Sequence, residues 1–165
     1  MAEVWLRGAL PGIPAELMPV VHSLLQVREE LETVVPSVSG EQLWVRPGGA
    51  ASIGFHLKHL AGSLDRLLTY ARGDMLTPAQ VAFLDTEEME GPETPAHLLR
   101  RALEAIDGGL TQIRATGIDT LNQARRVGRA GLPSTVLGLL FHAAEHSQRH
   151  AGQLVTTIRV VATRP

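Results

Sequence analysis

The sequence predicts an all-α protein, a bundle of four long helices, on three observations. Four segments repeat apolar residues at helical spacing, prolines and glycines gather mainly between those segments, and no stretch alternates convincingly like a strand. Composition points the same way, because aromatic residues are only 4% while Leu, Ala and Val are plentiful. That mixture suits helix packing better than a β-sandwich.

The first helix is expected from about Pro14 to Val35. Leu17, Val20, Val21, Leu24, Val27 and Leu31 recur on one face, with Leu25 beside them, and Arg28, Glu29, Glu30 and Glu32 mostly fill the other. Pro14 suits a first turn, Pro36 stops the helix, and Pro19 delays its regular part. A loop from Pro36 to Ala51 follows, with Trp44 and the turn Arg46-Pro47-Gly48-Gly49. Ser52 is an N-cap for the second helix, which ends near Arg72 before Gly73 and carries the stripe Ile53, Leu57, Leu60, Leu64, Leu67 and Leu68.

Residues 74–93 are acidic and broken by Pro78, Gly91 and Pro92, with a short helical piece expected over Gln80 to Leu84. Thr94-Pro95 opens the third helix, which runs to about Ala115 with Leu98, Leu99, Ala102, Ile106, Leu110 and Ile113 inward. Gly108-Gly109 weakens its middle by roughly 1–2 kcal/mol, so a bend is expected there. Thr116 to Leu132 reads as a polar connection in which Ala124 to Arg129 is extended or irregular. The fourth helix is expected from Pro133 to about Val160.

The length of 165 residues predicts one domain, 1–165, able to bury a core. A net charge of −2 gives no general pull toward nucleic acid or anionic membrane. The arginines at Arg125, Arg126 and Arg129 are too short a run to change that, and read as a solvated loop. With no cysteine, disulfides, thiolate metal sites and a cysteine nucleophile are excluded. Met1 to Arg7 lacks the basic start and apolar run of a signal peptide, and no apolar stretch reaches the roughly 18 residues of a membrane span. The expectation is a soluble, cytoplasmic protein with neither nucleic-acid nor membrane partners.

Seven histidines are present, and two helices hold five of them: His56 and His59 in the second, His142, His146 and His150 in the fourth. An isolated histidine is more often a surface or hydrogen-bonded residue, which is the reading for His22 and His97. The row at i, i+4, i+8 is different, because such neighbours lie about 5–6 Å apart on one face and two imidazoles can converge on an ion. His146 and His150 share an inward stripe with Leu139, Ala143 and Thr157, whereas His142 drifts to its edge. His56 and His59 both flank the leucine stripe, His56 the nearer to its centre, and periodicity leaves open which of them faces the fourth helix. Glu145 should point away from that face, so no separate general base stands out. His56, His142 and Gln153 are candidates for supporting the site or facing a substrate.

Three elements together resemble the DinB-like (YfiT-like) superfamily of metal-dependent hydrolases and thiol transferases. They are Trp44-x-Arg46-Pro47-Gly48-Gly49 before Ser52-Ile53-Gly54, then His59-Leu60-Ala61, then His146-x-x-x-His150-Ala151-Gly152-Gln153. The resemblance implies an up-down-down-up four-helix bundle and a divalent ion, zinc or nickel, held by His59, His146 and His150. Three neutral ligands leave a coordination position for water or substrate, the open arrangement of catalytic sites. The activity implied is a thiol S-transfer or hydrolysis on a small molecule, with a low-molecular-weight thiol as one substrate class, in a homodimer. The alternative is a non-catalytic, stress-associated metal-binding dimer, for which Trp5 and Leu6 offer an apolar contact. Ala151 departs from the family, which usually has arginine there.

Overall fold

The computed structural model describes residues 2–163; Met1, Arg164 and Pro165, at the ends of the expected domain, lie outside the described residues. Helices α1 (Met18–Val34), α2 (Ile53–Arg72), α3 (Pro78–Thr86), α4 (Pro95–Arg114) and α5 (Val136–Ala162) dominate it, with a hairpin of β1 (Ala124–Val127) and β2 (Leu132–Thr135). A 3-10 turn at Ala15–Leu17 precedes α1, and Pro19 sits in the first turn of that helix, where its missing N–H costs nothing.

The caps explain the helix boundaries. Ser52 Oγ accepts from the Phe55 N–H at 3.1 Å, and Gly73 closes α2 in a left-handed conformation with φ 90°. Thr94 and Thr135 cap α4 and α5 in the same way, accepting from the N–H groups of His97 and Gly138. Thr77 and Gln80 form a reciprocal capping box, which starts α3 earlier than the short piece expected over Gln80 to Leu84.

Two expectations are corrected. The chain is not wholly helical, because β1 and β2 pair antiparallel with Ala124 opposite Thr135 and Val127 opposite Leu132. Pro133 therefore lies in a strand and does not open α5, which begins at Val136 behind its Thr135 cap. Neither strand buries a residue fully, so the hairpin carries no hydrophobic alternation to betray it. It is tied down by its polar groups: Arg125 Nε donates to the Ala71 carbonyl at 2.8 Å, and the Val136 N–H to Gln123 O at 3.1 Å. Second, α4 is a continuous helix through Gly108-Gly109. A Cβ at Gly109 would sit 3.1 Å from Leu68 Cδ1, so this glycine serves the approach of α2 rather than a bend.

α2 packs on α5 and α4, α1 packs on the same two helices, and one apolar cluster runs through all four. Leu17, Leu24, Leu31, Leu57, Leu60, Leu64, Ile106 and Leu140 are fully buried within it. No helix among the described residues is long and apolar enough to cross a membrane.

Both long connections around α2 are fastened to it. The Trp44 ring lies so close to α2 that a Cβ at Gly54 would meet Trp44 Cζ3 at 2.4 Å. Lys58, only 3% exposed, sits 5.2 Å from the Trp44 ring centroid and donates to the Met89 carbonyl at 3.0 Å. Arg46 Nη2 donates to Glu88 O at 3.2 Å, joining the two connections to each other. The acidic segment after α3 is thereby held against the side of α2 that carries the histidines.

Candidate metal centre

His59 of α2 and His146 and His150 of α5 bring one ring nitrogen each within 4.8 Å of one another. His59 Nε2 and His146 Nε2 are 2.9 Å apart. Two nitrogens each about 2.0–2.1 Å from one ion can be at most about 4.2 Å apart, so this pair falls within the reach of a single metal.

His56 is 4% exposed and His150 9%, and their Nδ1 atoms lie 3.1 Å apart. Both residues of the α2 pair thus turn toward α5, because α2 is enclosed between α4 and α5 and its buried surface extends well beyond the leucine stripe. His142 is exposed at the edge, its ring 5.3 Å from that of His146 and its Nδ1 3.4 Å from Glu145. His22 instead bonds Gly8 O at 3.0 Å, and His97 is exposed on α4; neither joins the group.

His56, His146 and His150 are held as neutral bases. Burial, then the neighbouring His59, lowers His56 to about 4. Burial followed by His59, His142 and Arg149 lowers His146 to about 4, against a weaker opposite pull from Glu145. Burial and the surrounding histidines take His150 to about 3. At neutral pH these rings keep a lone pair, the form in which imidazole binds a metal. His146 Nδ1 is buried with no hydrogen-bond partner among the described residues.

Three residues that the sequence pattern did not single out complete the surroundings. Phe55 stacks on His59, with centroids 5.2 Å apart and planes at 11°, and meets His56 edge-on at 5.4 Å. Glu87, 2% exposed just after α3, accepts from His59 Nδ1 at 2.7 Å. Arg66, 8% exposed and two helical turns beyond His59, grips the same carboxylate with Nη1 at 2.5 Å and Nη2 at 3.2 Å. The carboxylate lies across α2 over Gly62, where a Cβ would come within 2.1 Å of Glu87 Oε1. A glycine inside a helix near a histidine was the available signal; Glu87 itself looked like one more charge in a solvated acidic run.

Beside His56 opens a cleft of about 760 Å³, bounded by Phe55, Gln148, Arg149, Gln153 and Thr156. Among the described residues Arg149 is the one permanently charged residue on its wall, and it pairs with Glu145. Gln153 is exposed there, whereas Ala151 is fully buried and faces the core. Of the histidines only His56 lines this cleft, and His59, His146 and His150 lie behind it; their donor set and its neutrality suit a divalent ion. A second hollow, of about 430 Å³ between α2, α3 and α4, is bordered by Arg66 but by none of the histidines.

The sequence model of the DinB superfamily matches residues 23–154. Among solved structures, the chain is similar to a DinB-family protein of Exiguobacterium sibiricum, with TM-score 0.71 and 17% identity over 93% of this chain and 96% of that one. It is also similar to a DinB-like protein of Bacillus subtilis, with TM-score 0.64 and 17% identity over 89% and 94% of the two chains. A DinB-like protein of Bacillus cereus follows with TM-score 0.64 and 14% identity over 85% and 89%. No curated protein matches the sequence.

Proposed function

Because the chain belongs to the DinB superfamily, we propose that it is a metal-dependent thiol S-transferase or hydrolase whose divalent ion is held by His59, His146 and His150. The observation that carries this reading is the convergence of three imidazoles from two helices, one of them steered by a buried carboxylate. Imidazole ligands of this kind suit zinc or nickel. When bound, the ion supplies Lewis-acid activation of a water or thiol nucleophile.

The chain's own residues bind and orient. His56 holds the His150 ring through the Nδ1 contact, and Phe55 shields His59 from water on one face. The substrate, a small molecule of the low-molecular-weight thiol class in our reading, takes the cleft beside His56. There Gln148, Gln153 and Thr156 offer neutral hydrogen-bonding groups, and Arg149 offers a cation to an anionic substituent. Position 151 is a buried alanine and brings no guanidinium, and among the described residues Arg149 is the arginine that borders the cleft. Packing of α1 and α2 each on both α4 and α5 around one apolar cluster supports a four-helix bundle; in our reading it runs up-down-down-up and forms one domain, 1–165.

A second reading, a metal-binding dimer without catalysis, draws support from Trp5 and Leu6, which are 62% and 59% exposed side by side. Elemental analysis of protein purified without a polyhistidine tag tests both readings, followed by a screen for metal-dependent conjugation of small thiols. Stoichiometric metal with turnover supports the enzyme; metal with dimerisation and no turnover favours the second reading; a metal-free protein that cannot be reloaded refutes both.

A further inference from the structure

Of the three imidazoles, His59 alone has a charged group, Glu87, fixed against its outer nitrogen by a hydrogen bond. We propose that Glu87, locked by Arg66, is a positioning residue that keeps the proton of His59 on Nδ1 and thereby sets the affinity of the centre for metal. The inference rests on the reading that His59 is a ligand.

An ionised carboxylate can only accept, so the nitrogen facing it at 2.7 Å must carry the hydrogen. In the metal-binding form of the ring the lone pair is then on Nε2, the atom that faces His146 Nε2 at 2.9 Å. Glu87 cannot readily turn away. Arg66 holds both oxygens, at 2.5 and 3.2 Å, and the carboxylate is seated in the space left by the missing side chain of Gly62. Among the described residues His146 has no such guide, because its Nδ1 is buried without a partner, and His150 Nδ1 meets another imidazole. The orientation of the centre therefore depends on a residue from the connection after α3, on neither of the helices that supply the ligands. Carboxylates that orient metal-bound histidines from behind typically change metal affinity 10–100-fold when altered.

Glu87→Gln makes a sharp test because it preserves volume. Arg66 donates to both positions but more closely to Oε1, at 2.5 Å against 3.2 Å, so the amide oxygen takes the Oε1 place and the amide nitrogen the Oε2 place, facing His59 Nδ1. There it donates, and the His59 proton moves to Nε2, blocking the ligand atom. The measurements are the imidazole 15N tautomer signature of metal-free protein and zinc affinity by competition with a chromophoric chelator, on tag-free chain. The expected result is an Nδ1–H tautomer for His59 in the wild type, an Nε2–H tautomer in Glu87→Gln, and zinc binding weakened about 10–100-fold. Glu93→Gln is the control, a carboxylate on the same connection that pairs with Lys58 and does not touch His59; its zinc affinity should equal that of the wild type.

An Nε2–H tautomer of His59 in the wild type overturns the proposal without any variant having to fold. Equal loss of zinc affinity in the two variants also overturns it, since that would mark the connection as merely structural. A wild type that binds zinc together with a Glu87→Gln variant that binds as tightly removes the clamp and leaves the proposed function standing. A wild type that binds no zinc removes the proposed function and the clamp with it.

Discussion

Replacing Gly62 by alanine sets two effects of opposite sign against each other. A glycine inside a helix is normally a weakness, and alanine there adds about 1 kcal/mol of stability. At position 62, however, the new Cβ would lie 2.1 Å from Glu87 Oε1, 2.7 Å from Arg66 Nη1 and 2.8 Å from Phe83 Cε1. Ordinary contacts of carbon begin near about 3.5 Å, so the carboxylate must retreat by about 1 Å or more. It is the end of a side chain, which would usually yield easily, but this one is 2% exposed and bonded to both Arg66 and His59. Overpacking of such a site costs about 1–3 kcal/mol. Subtracting the helix gain, Gly62→Ala should lose up to about 2 kcal/mol. Gly108→Ala on α4 is the matched control, since nothing lies within 4 Å of its Cβ, and it should gain about 1 kcal/mol. Urea unfolding of both variants in chelator, read as midpoints at a common slope, measures the difference. If Gly62→Ala stabilises as Gly108→Ala does, the carboxylate is not seated where the clamp requires it.

Single alanine replacements of His59, His146 and His150 should each cut zinc per chain severely, while His56→Ala and His142→Ala should retain most of it; elemental analysis of identically dialysed proteins decides, and an empty His56→Ala beside a full His59→Ala would reassign the ligand by one turn. Because the ion would join α2 to α5, a chelator should lower Tm, by the equivalent of about 4 kcal/mol for metal held a thousandfold above its Kd; an unchanged Tm in a chelator shown to have emptied the site rejects that staple. Metal-free protein should lose stability as pH falls from about 6.5 toward 4. His56, His146 and His150 are depressed in the folded state, so the unfolded chain takes up their protons first. The slope should be at most about 1.4 kcal/mol per pH unit for each deeply buried ring, His56 and His150, and less for the half-buried His146. Urea midpoints at pH 7.5 and 5 that are equal, or higher at the lower pH, would contradict the neutral state of these rings.

What the sequence revealed about the fold follows from where burial is concentrated. α2 was legible from Ser52 to Gly73 because its cap, apolar stripe and left-handed terminator are all local. Of the hairpin only an extended or irregular run from Ala124 to Arg129 was legible; its pairing was not, because the burial of β1 and β2 never exceeds the intermediate range and their anchors, Ala71 for Arg125 and Gln123 for Val136, lie outside the strands. Gly108-Gly109 misled in a different way: its local cost is real, but the reason for one of the two glycines is Leu68 on another helix. A propensity argument sees the cost and not the contact that offsets it.

The histidines divide along the same line. His142, His146 and His150 stand out because repetition at i, i+4 is itself a local pattern, whereas the relation of His59 to α5 is set by the packing of two helices 87 residues apart. Periodicity ranked His56 as the more inward of the α2 pair, and it is the more buried; the motif ranked His59, and that is the ring within reach of both His146 and His150. Both rankings describe real geometry, since depth and convergence are different properties. Depth costs a histidine its proton, which is why His56 falls to about 4, whereas His59 reaches the group with a partner behind its ring. That partner is Glu87, reached through a turn after α3 whose position depends on Lys58, Trp44 and Gly54. The tryptophan-glycine element that resembled a family signature therefore has a physical task in this chain. It seats one connection against α2, and Lys58 and Arg46 fasten the other, so that an otherwise unremarkable glutamate stands behind a histidine.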